Sequence, residues 1–320
     1  MSNILLLHEL RTKLGSIIVG QEALLDRLVI AVLAGGHVLL EGPPGLAKTT
    51  VVHALATCLD ASFQRVQFTP DLMPGDLTGS EVYEPANGSF RFIEGPLFHE
   101  ILLADEINRA PPKVQSALLE AMAEHQITVG GKTRPLPELF LVLATQNPLE
   151  QSGTYSLPEA QLDRFLFQII LDYPNLEQEI EISRRARKAH EGHVEEGLTA
   201  ALKPDEILSL REQVSEVYIE ESVERFAVEL VVATRKLGDY LPDWSELVQA
   251  GASPRASISL LRASMARAFM DGRDYVLPED VVALAPDVLR HRLILDFAAQ
   301  AEGVSADNII TTLLSAVKAP

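Results

Sequence analysis

A lysine followed by a threonine ends a loop rich in glycine and proline, in the stretch EGPPGLAKTT (41–50). The spacing from Gly42 to Lys48 and Thr49 matches the pattern G-x-x-x-x-G-K-[ST], except that Ala47 replaces the glycine before the lysine. In such a loop, backbone N–H groups and a helix N-terminus face phosphate groups, the lysine reaches the β- and γ-phosphates, and the threonine ligates Mg²⁺. The motif therefore predicts a nucleotide site, and the alanine raises the question of whether that site is functional.

Two adjacent carboxylates follow a second apolar stretch, EILLADE (100–106). Because ligands bind at the carboxyl ends of parallel strands, Asp105 and Glu106 are expected beside the phosphate loop. Asp105 can hold Mg²⁺ directly or through water, and Glu106 can orient and deprotonate an attacking water. Two solvated acids at a strand end are the simpler alternative. The two half-motifs follow one another on successive predicted strands in the required order, which favours phosphate hydrolysis.

Three further polar residues are candidates for the same chemistry. Asn147 ends the apolar run LFLVLATQN (139–147), and it faces the γ-phosphate if that strand lies between the other two. Arg164 is either a surface residue at a helix end or an arginine finger that reaches into a neighbouring subunit's site. Arg255 lies at a helix start, where positive charge is disfavoured, so it is either an exposed residue of a capped helix or a ligand for an anion.

Short apolar runs alternate with helical patterns through residues 1–172, which predicts an α/β domain with a mostly parallel sheet. The runs occupy 37–42, 63–69, 100–106, 139–147 and 165–172. Two turn-rich stretches interrupt this alternation, residues 70–97 and 126–138. Each predicts a hairpin that projects from the domain, with turns at Asn87-Gly88 and at Gly130-Gly131.

The periodicity then changes to that of helices, so we predict domains over 1–173 and 174–320, the second all-helical. The apolar positions of the helix at 222–237 are Val223, Phe226, Ala227, Leu230, Val231 and Leu237. Those predicted for the helix at 254–271 are Ile258, Leu261, Met265, Ala268 and Phe269.

The net charge of −18, from 27 basic and 45 acidic residues, argues against broad binding of a nucleic-acid backbone. A ring of subunits could still form a small basic circle from Lys132 and Arg134 in the second predicted hairpin. No apolar run reaches the roughly 20 residues that span a bilayer, and the N-terminal stretch is typical of an amphipathic helix. The single cysteine, Cys58, is expected in a buried core, so a reducing cytoplasm is the expected location.

Taken together, the stretches GPPGLAKT, LLADEINRA, ATQNP, LPEAQLDRF and GASPRA resemble the MoxR family of AAA+ ATPases. The resemblance extends from residue 18 to about residue 297, and the family's loop often carries alanine before the lysine, so Ala47 is not a departure. It implies an α/β P-loop domain with a five-stranded parallel sheet in the order 5-1-4-3-2 and a helical lid. It also implies ATP and Mg²⁺ as ligands, a homo-oligomer in the form of a hexameric ring, and chaperone-like action on a protein client with a von Willebrand factor A domain partner.

The resemblance assigns a role to each candidate. Asp105 and Glu106 correspond to the Walker B acids, Asn147 to sensor 1, Arg164 to the arginine finger and Arg255 to sensor 2, which could act on its own or a neighbour's nucleotide. Residues 70–97 correspond to the helix-2 insert and 126–138 to the pre-sensor-1 hairpin, which project toward the central pore in relatives. The implied nucleotide-binding residues are Val19, Gly20 and Gln21 near adenine, and Gly42, Pro43, Pro44, Gly45, Leu46, Ala47, Lys48, Thr49 and Thr50.

Two other functions remain open at the level of sequence. One is a motor stimulated by nucleic acid, which the acidic composition disfavours. The other is a module that uses ATP as an assembly switch without significant turnover.

Overall fold

A computed structural model of the chain describes residues 3–43, 45–46, 48–86, 88–147, 153–190 and 199–320. Pro44 and Ala47 of the phosphate loop, and Asn87 of the first predicted hairpin turn, lie outside the described residues. The chain divides into two compact units. The first unit comprises Met1–Leu157 and Ile169–Ser209, and the second comprises Pro158–Gln168 and Leu210–Pro320. The predicted domain boundary after residue 173 stays a prediction.

The strands are β1 (His37–Glu41), β2 (Phe63–Gln67), β3 (Gly79–Glu84), β4 (Ser89–Glu94), β5 (Ile101–Asp105), β6 (Gln126–Val129), β7 (Lys132–Pro135), β8 (Leu141–Gln146), β9 (Phe165–Ile170), β10 (Val248–Ala250) and β11 (Ile294–Leu295). The helices are α1 (Asn3–Ile17), α2 (Glu22–Ala34), α3 (Lys48–Cys58), α4 (Pro74–Thr78), α5 (Pro112–Glu124), α6 (Glu159–Leu162), α7 (Leu176–His190), α8 (Pro204–Ser215), α9 (Glu221–Arg235), α10 (Leu237–Tyr240), α11 (Pro254–Met270), α12 (Pro278–Leu289), α13 (Phe297–Ala301) and α14 (Ala306–Ala316).

The five predicted apolar runs form one sheet in the order β2-β5-β8-β1-β9, which confirms the expected order 5-1-4-3-2. The pairs β2–β5, β5–β8 and β1–β8 are parallel. Every residue of β1, β5 and β8 is buried except the last, so burial stops where polar residues begin. Glu41 pairs with Gln146, and Gln67 pairs with Asp105, so the carboxyl ends of these strands lie side by side at one edge of the sheet.

Both predicted hairpins form. Strands β3 and β4 pair from Gly79–Glu94 to Glu84–Ser89, a longer ladder than the sequence indicated. Strands β6 and β7 turn at Gly130 and Gly131, whose φ angles of 60° and 73° are the two positive values that a type I′ turn requires.

The two hairpins contact each other, and the Glu81 carboxylate of β3 lies close to Gly130 in the turn of the second hairpin. The Arg134 guanidinium of β7 lies 3.8 Å from the centroid of the Phe92 ring of β4 and 4.0 Å from the Glu81 carboxylate of β3. At the far end of the first hairpin, Tyr83 and Phe90 form an exposed aromatic pair with centroids 5.3 Å apart. The inserts are therefore in contact with each other, and the first is apolar at its tip.

The second unit is mostly helical, and its two best-patterned helices differ in how well the sequence predicted them. All the predicted apolar positions of α9 are buried. The prediction for α11 is only partly right. Ala268 is buried as predicted, but Ile258 is 58% exposed, and the buried face is formed mainly by small residues such as Ala256, Ala263 and Ala266 around Leu260. Small side chains let helices approach closely, so this face packs against α9 and α12.

The prediction of a wholly helical second domain also needs one correction. The short strands β10 and β11 form an antiparallel pair in which Val248 faces Leu295. Their two- and three-residue lengths leave no periodicity that a sequence pattern could reveal. None of the helices in the described part of the chain is long and apolar enough to cross a membrane.

Candidate nucleotide-binding and hydrolysis site

The phosphate loop joins the end of β1 to the start of α3, which begins at Lys48. A Cβ atom at Gly42 would lie 2.7 Å from the Leu171 carbonyl oxygen, so only glycine fits where the chain leaves the sheet. Gly45 has a φ of 86°, a value that glycine adopts at no steric cost. The loop is therefore shaped by two glycines, at positions where a side chain would clash or be strained.

Lys48 lies over this loop and is half-buried. Its Nζ donates to the carbonyl oxygens of Gly42 at 2.6 Å and of Gln146 at 3.5 Å. Burial lowers the pKa of Lys48, and the opposing attraction of Asp105, Glu106 and then Glu41 only partly offsets this. A partly desolvated cation held by backbone carbonyls gains more from an incoming phosphate than a solvated one would.

Most of the predicted catalytic and phosphate-binding residues of the first unit line one cavity of about 450 Å³, although Gly42 and Pro43 do not. The structure thus brings together groups that are up to a hundred residues apart in the chain. The lining residues are Gly45, Lys48, Thr49, Thr50, Arg65, Gln67, Asp105, Glu106, Thr145, Gln146 and Asn147. Asn147 is buried at the end of β8, inside this group. Sequence reasoning missed four of the lining residues, namely Arg65, Gln67, Thr145 and Gln146.

Asp105 is held by side chains from both neighbouring strands. Its Oδ1 accepts from the Thr145 hydroxyl at 2.6 Å. Its Oδ2 accepts from Arg65 Nη2 at 2.6 Å and from Arg65 Nε at 3.1 Å. The Arg65 side chain is 48% exposed, so this partner can leave the carboxylate at small cost when another cation arrives.

Glu106 occupies the left-handed backbone region, with φ 56° and ψ 52°. It is one of three non-glycine residues with positive φ in the described part of the chain, and such strain needs support from its surroundings. The Glu106 N–H donates to Thr145 Oγ1 at 2.8 Å, and its Oε2 accepts from Gln67 Nε2 at 2.6 Å and Arg109 Nη1 at 3.0 Å. Thr145 therefore fixes both acids at once, since its hydroxyl donates to one and accepts from the other's backbone.

A second cavity, of about 350 Å³, shares Gly45 and Thr50 with the first. It is lined by Val19, Gln21 and Leu46, which the resemblance assigned to nucleotide binding, and by residues that sequence reasoning missed. The other lining residues are Ile17, Ile18, Tyr173, Pro174, Glu179, Ile182 and Arg185. The missed residues come from the segment after β9 and from α7, where no sequence pattern marked a binding role.

Two features of the predicted Val19-Gly20-Gln21 segment bear on this second cavity, which Val19 and Gln21 line and Gly20 does not. A Cβ atom at Gly20, where φ is 74°, would lie 2.2 Å from Gln178 Cδ, so Gly20 allows close packing against α7. The Gln21 Oε1 atom is buried without a hydrogen-bond partner. An unsatisfied buried acceptor costs free energy, so a ligand with an amino group would satisfy it.

The donor set of the two cavities fits ATP with Mg²⁺. Thr49 and Asp105 supply the hard oxygen ligands that Mg²⁺ prefers, and the remaining positions of such an ion are commonly filled by phosphates and water. No group of three or more His, Cys, Asp or Glu side chains within the described ranges could hold a metal by itself.

Arg164 and Arg255 both belong to the second unit. Arg164 lies between α6 and β9, directly after Asp163. Arg255 is in the first turn of α11, where its N–H donates to the Oγ of the N-cap residue Ser253 at 3.1 Å. Its side chain is 65% exposed, and its Nη1 lies 3.6 Å from Asp163 Oδ2. The structure therefore connects Arg255 to the residue adjoining Arg164.

Comparison with known proteins identifies relatives over most of the chain. The family model of the ATPase family associated with various cellular activities (AAA) matches residues 37–167, and that of the AAA lid domain matches residues 244–313. Chaperone MoxR1 of Mycobacterium tuberculosis is 45% identical over 95% of this chain and 80% of its own length. Protein MoxR of Methylorubrum extorquens is 34% identical over 87% of this chain and 84% of its own length. A crystal structure from Cytophaga hutchinsonii, described as that of an ATPase, superposes with a TM-score of 0.92 at 46% identity, covering 99% of this chain and 96% of its own.

Proposed function

Because the chain belongs to the MoxR family of AAA+ ATPases and hydrolyses ATP, we propose that hydrolysis takes place at the subunit interfaces of a ring. One subunit supplies Lys48, Thr49, Asp105, Glu106 and Asn147, and its neighbour supplies Arg164. The observation that carries this proposal is the convergence of the first five residues on one cavity. The cavity is lined by the proposed base Glu106, by Lys48 and by the oxygen ligands of Thr49 and Asp105. Arg164 belongs to the second unit.

Each residue of the cavity has a distinct task in the proposed reaction. Lys48 binds the β- and γ-phosphates, and Thr49 with Asp105 holds Mg²⁺, which when bound neutralises charge on the phosphates. Glu106 accepts a proton from the attacking water as the water oxygen bonds to the γ-phosphorus and the bond to the bridging oxygen breaks. Asn147 orients that water, and Arg164 stabilises the charge of the transferring group.

We further propose that the ring is a hexamer in the cytoplasm that remodels or activates a protein client. One relative of this chain is named a chaperone, which supports that class of activity. The exposed aromatic pair Tyr83 and Phe90 offers apolar contact to a client, and a von Willebrand factor A domain protein is the proposed partner. Since Arg134 joins the two inserts, motion of one would move the other.

The variant Arg164→Ala tests the interface proposal. We expect its dissociation constant for ATP to equal that of the wild type, while kcat falls by roughly a thousandfold or more, because a finger acts on the transition state. A kcat within threefold of the wild type would remove Arg164 from the site. Glu106→Gln is the matched reference, since it should also bind ATP without turnover and can be used to capture a client in the ATP state.

The structure weakens the nucleic-acid alternative. Arg134, one of the two basic residues of the second hairpin, already contacts Glu81 and Phe92. Lys132 is exposed, but one lysine per subunit gives only a small phosphate-binding surface. ATPase rates measured at low salt with single- and double-stranded DNA should therefore stay within twofold of the rate without DNA. Strong stimulation that salt abolishes would favour the motor instead.

A further inference from the structure

Asp163 lies between the two arginines to which a role in hydrolysis is assigned. It directly precedes Arg164 in the chain, and its Oδ2 lies 3.6 Å from Arg255 Nη1. We propose that Asp163 is a positioning residue that joins Arg164 and Arg255 into one rigid element of the second unit, so that the two guanidinium groups move together. This inference rests on the proposed function, because it concerns the two arginines assigned to the interface.

The partner of Asp163 is the buried arginine Arg292. Arg292 Nε donates to Asp163 Oδ1 at 2.8 Å, and the side chain of Arg292 is only 2% exposed. Burial lowers the pKa of Arg292, while the hydrogen bond and the charge of Asp163 oppose that effect. A cation so deeply buried needs the carboxylate, so Asp163 is held in one position.

The backbone on both sides of Arg164 is fixed by the same cluster. Arg292 Nη2 donates to the carbonyl oxygen of Asp163 at 3.1 Å and to that of Phe165 at 2.6 Å. His291 Nε2 donates to the Phe165 carbonyl at 3.1 Å, since a carbonyl oxygen can only accept. Arg164 is thus flanked by two peptide groups that cannot move without breaking their hydrogen bonds to Arg292 and His291.

The link to Arg255 runs through the start of α11. The Ser253 hydroxyl donates to Asp163 Oδ2 at 2.8 Å and accepts from the Arg255 N–H at 3.1 Å. Ser253 therefore serves both as the N-cap of α11 and as the bridge to Asp163. One carboxylate in this way sets the position of the helix start that carries Arg255 and of the peptide that carries Arg164.

The position that Asp163 gives to the two arginines should affect the rate of ATP hydrolysis more than the stability of the fold. A buried ion pair contributes little net stability compared with apolar packing, but its directional hydrogen bonds restrict where the attached groups can be. Displacement of a charge-stabilising group by about 1 Å can lower a rate roughly a hundredfold. If Asp163 positions the arginines, its loss should lower kcat with little change in the KM for ATP.

Two variants test this, with ATPase kinetics and thermal unfolding as readouts. Asp163→Asn keeps the shape of the side chain and removes its charge. Ser253→Gly removes only the hydroxyl bridge, because glycine is nearly as good an N-cap as serine. We expect kcat to fall about a hundredfold in Asp163→Asn and about tenfold in Ser253→Gly, with KM within threefold of the wild type in both. Ser253→Thr, which keeps the hydroxyl, should restore most of the rate.

Asp280→Asn is the control for a loss of stability alone. Asp280 is a carboxylate of the second unit that is more deeply buried than Asp163, and its ion-pair partners are Arg273 at 2.7 Å and Arg267 at 3.2 Å. The unfolding temperature of the Asp280→Asn variant should fall, while its kcat, measured well below that temperature, stays within threefold of the wild-type value.

The outcomes separate this inference from the proposed function. If Asp163→Asn fails to fold, Ser253→Gly alone decides the matter. A wild-type kcat in folded Ser253→Gly, beside an inactive Arg164→Ala, overturns the positioning role and leaves the interface site intact. A wild-type kcat in Arg164→Ala instead overturns the proposed function.

Discussion

The two charged clusters of this protein hold their carboxylates in opposite ways. In the first unit, Asp105 is paired with Arg65, whose side chain is half exposed. In the second unit, Asp163 is paired with Arg292, whose side chain is almost fully buried. The difference agrees with the roles proposed for the two carboxylates. A group that meets a metal ion or a water has to exchange partners during turnover, whereas a group that sets a position must not exchange them.

The largest effect is expected from removal of Lys48, the lysine proposed to bind the phosphates. Lys48→Ala should abolish ATP binding, because no other lysine lines the cavity and the loop loses its contact with the β- and γ-phosphates. Titration calorimetry with ATP and Mg²⁺ measures this. The control is Lys113→Ala, because Lys113 is an exposed residue of α5 and this variant should bind ATP as the wild type does. Retained ATP binding in Lys48→Ala would show that the first cluster does not depend on its lysine.

Removal of the buried partner in the second cluster should have the next largest effect. Arg292→Met removes the closest cation of the largely buried Asp163 and leaves only the exposed Arg255 near it, which costs about 3–5 kcal/mol in the free energy of unfolding. Urea unfolding followed by the fluorescence of Trp244, the single tryptophan of the chain and a residue of the second unit, reports on this cluster. A loss of less than about 1 kcal/mol in the free energy of unfolding would mean that the ion pair of the second cluster contributes as little as the exposed pair of the first.

The second cluster should also respond to pH. Burial, and then the charge of Arg292, lowers the pKa of His291 well below its ordinary value of 6.5. Below pH 6.5 the unfolded chain binds a proton at His291, whereas the folded chain does not. The contribution of this histidine to the free energy of unfolding is therefore fully present above pH 6.5 and is lost as the pH falls.

His291 is the only histidine of the second unit, so the Trp244 signal isolates its effect. Between pH 6.5 and 5.5 the loss should reach about 1 kcal/mol. His291→Gln keeps a donor for the Phe165 carbonyl and should flatten this part of the pH profile. An unchanged profile in that variant would contradict the assignment of a buried neutral histidine.

The smallest effect is expected for the exposed partner in the first cluster. Arg65→Ala should change the free energy of unfolding by less than about 1 kcal/mol, because exposed ion pairs contribute little. It should also lower the Mg²⁺ concentration for half-maximal ATPase rate by a few fold, since Arg65 competes for Asp105 Oδ2. A rise in that concentration would show that Arg65 assists the metal rather than excludes it.

Most of the sheet and half of the site could be predicted from the sequence, for physical reasons that differ between residues. Strands buried on both faces leave continuous apolar runs, and the polar residues that end them, such as Asp105 and Asn147, lie at one edge by topology alone. Arg65 and Gln67 were missed because their neighbours alternate in exposure along a strand, which is the ordinary pattern for solvent-facing residues.

The second unit was harder to predict. Helix α9 has an apolar stripe that matches its buried face, whereas α11 buries alanine and serine, whose small side chains give no clear hydrophobic pattern. Asp163 and Arg292 form an ion pair although they are 129 positions apart in the chain, and no local sequence pattern in either segment predicts this contact.

Complementation between inactive subunits tests the central claim most directly. Glu106→Gln and Arg164→Ala subunits, each inactive alone, are mixed in equal amounts, and ATP turnover is measured against a mixture of Glu106→Gln with the double variant, which contains no complete site. If the pocket and the finger come from different subunits, random assembly completes about a quarter of the interfaces, and the mixture should recover activity up to about a quarter of the wild-type rate. Activity no higher than the reference mixture, in rings shown to have exchanged subunits, would contradict a site shared between neighbours.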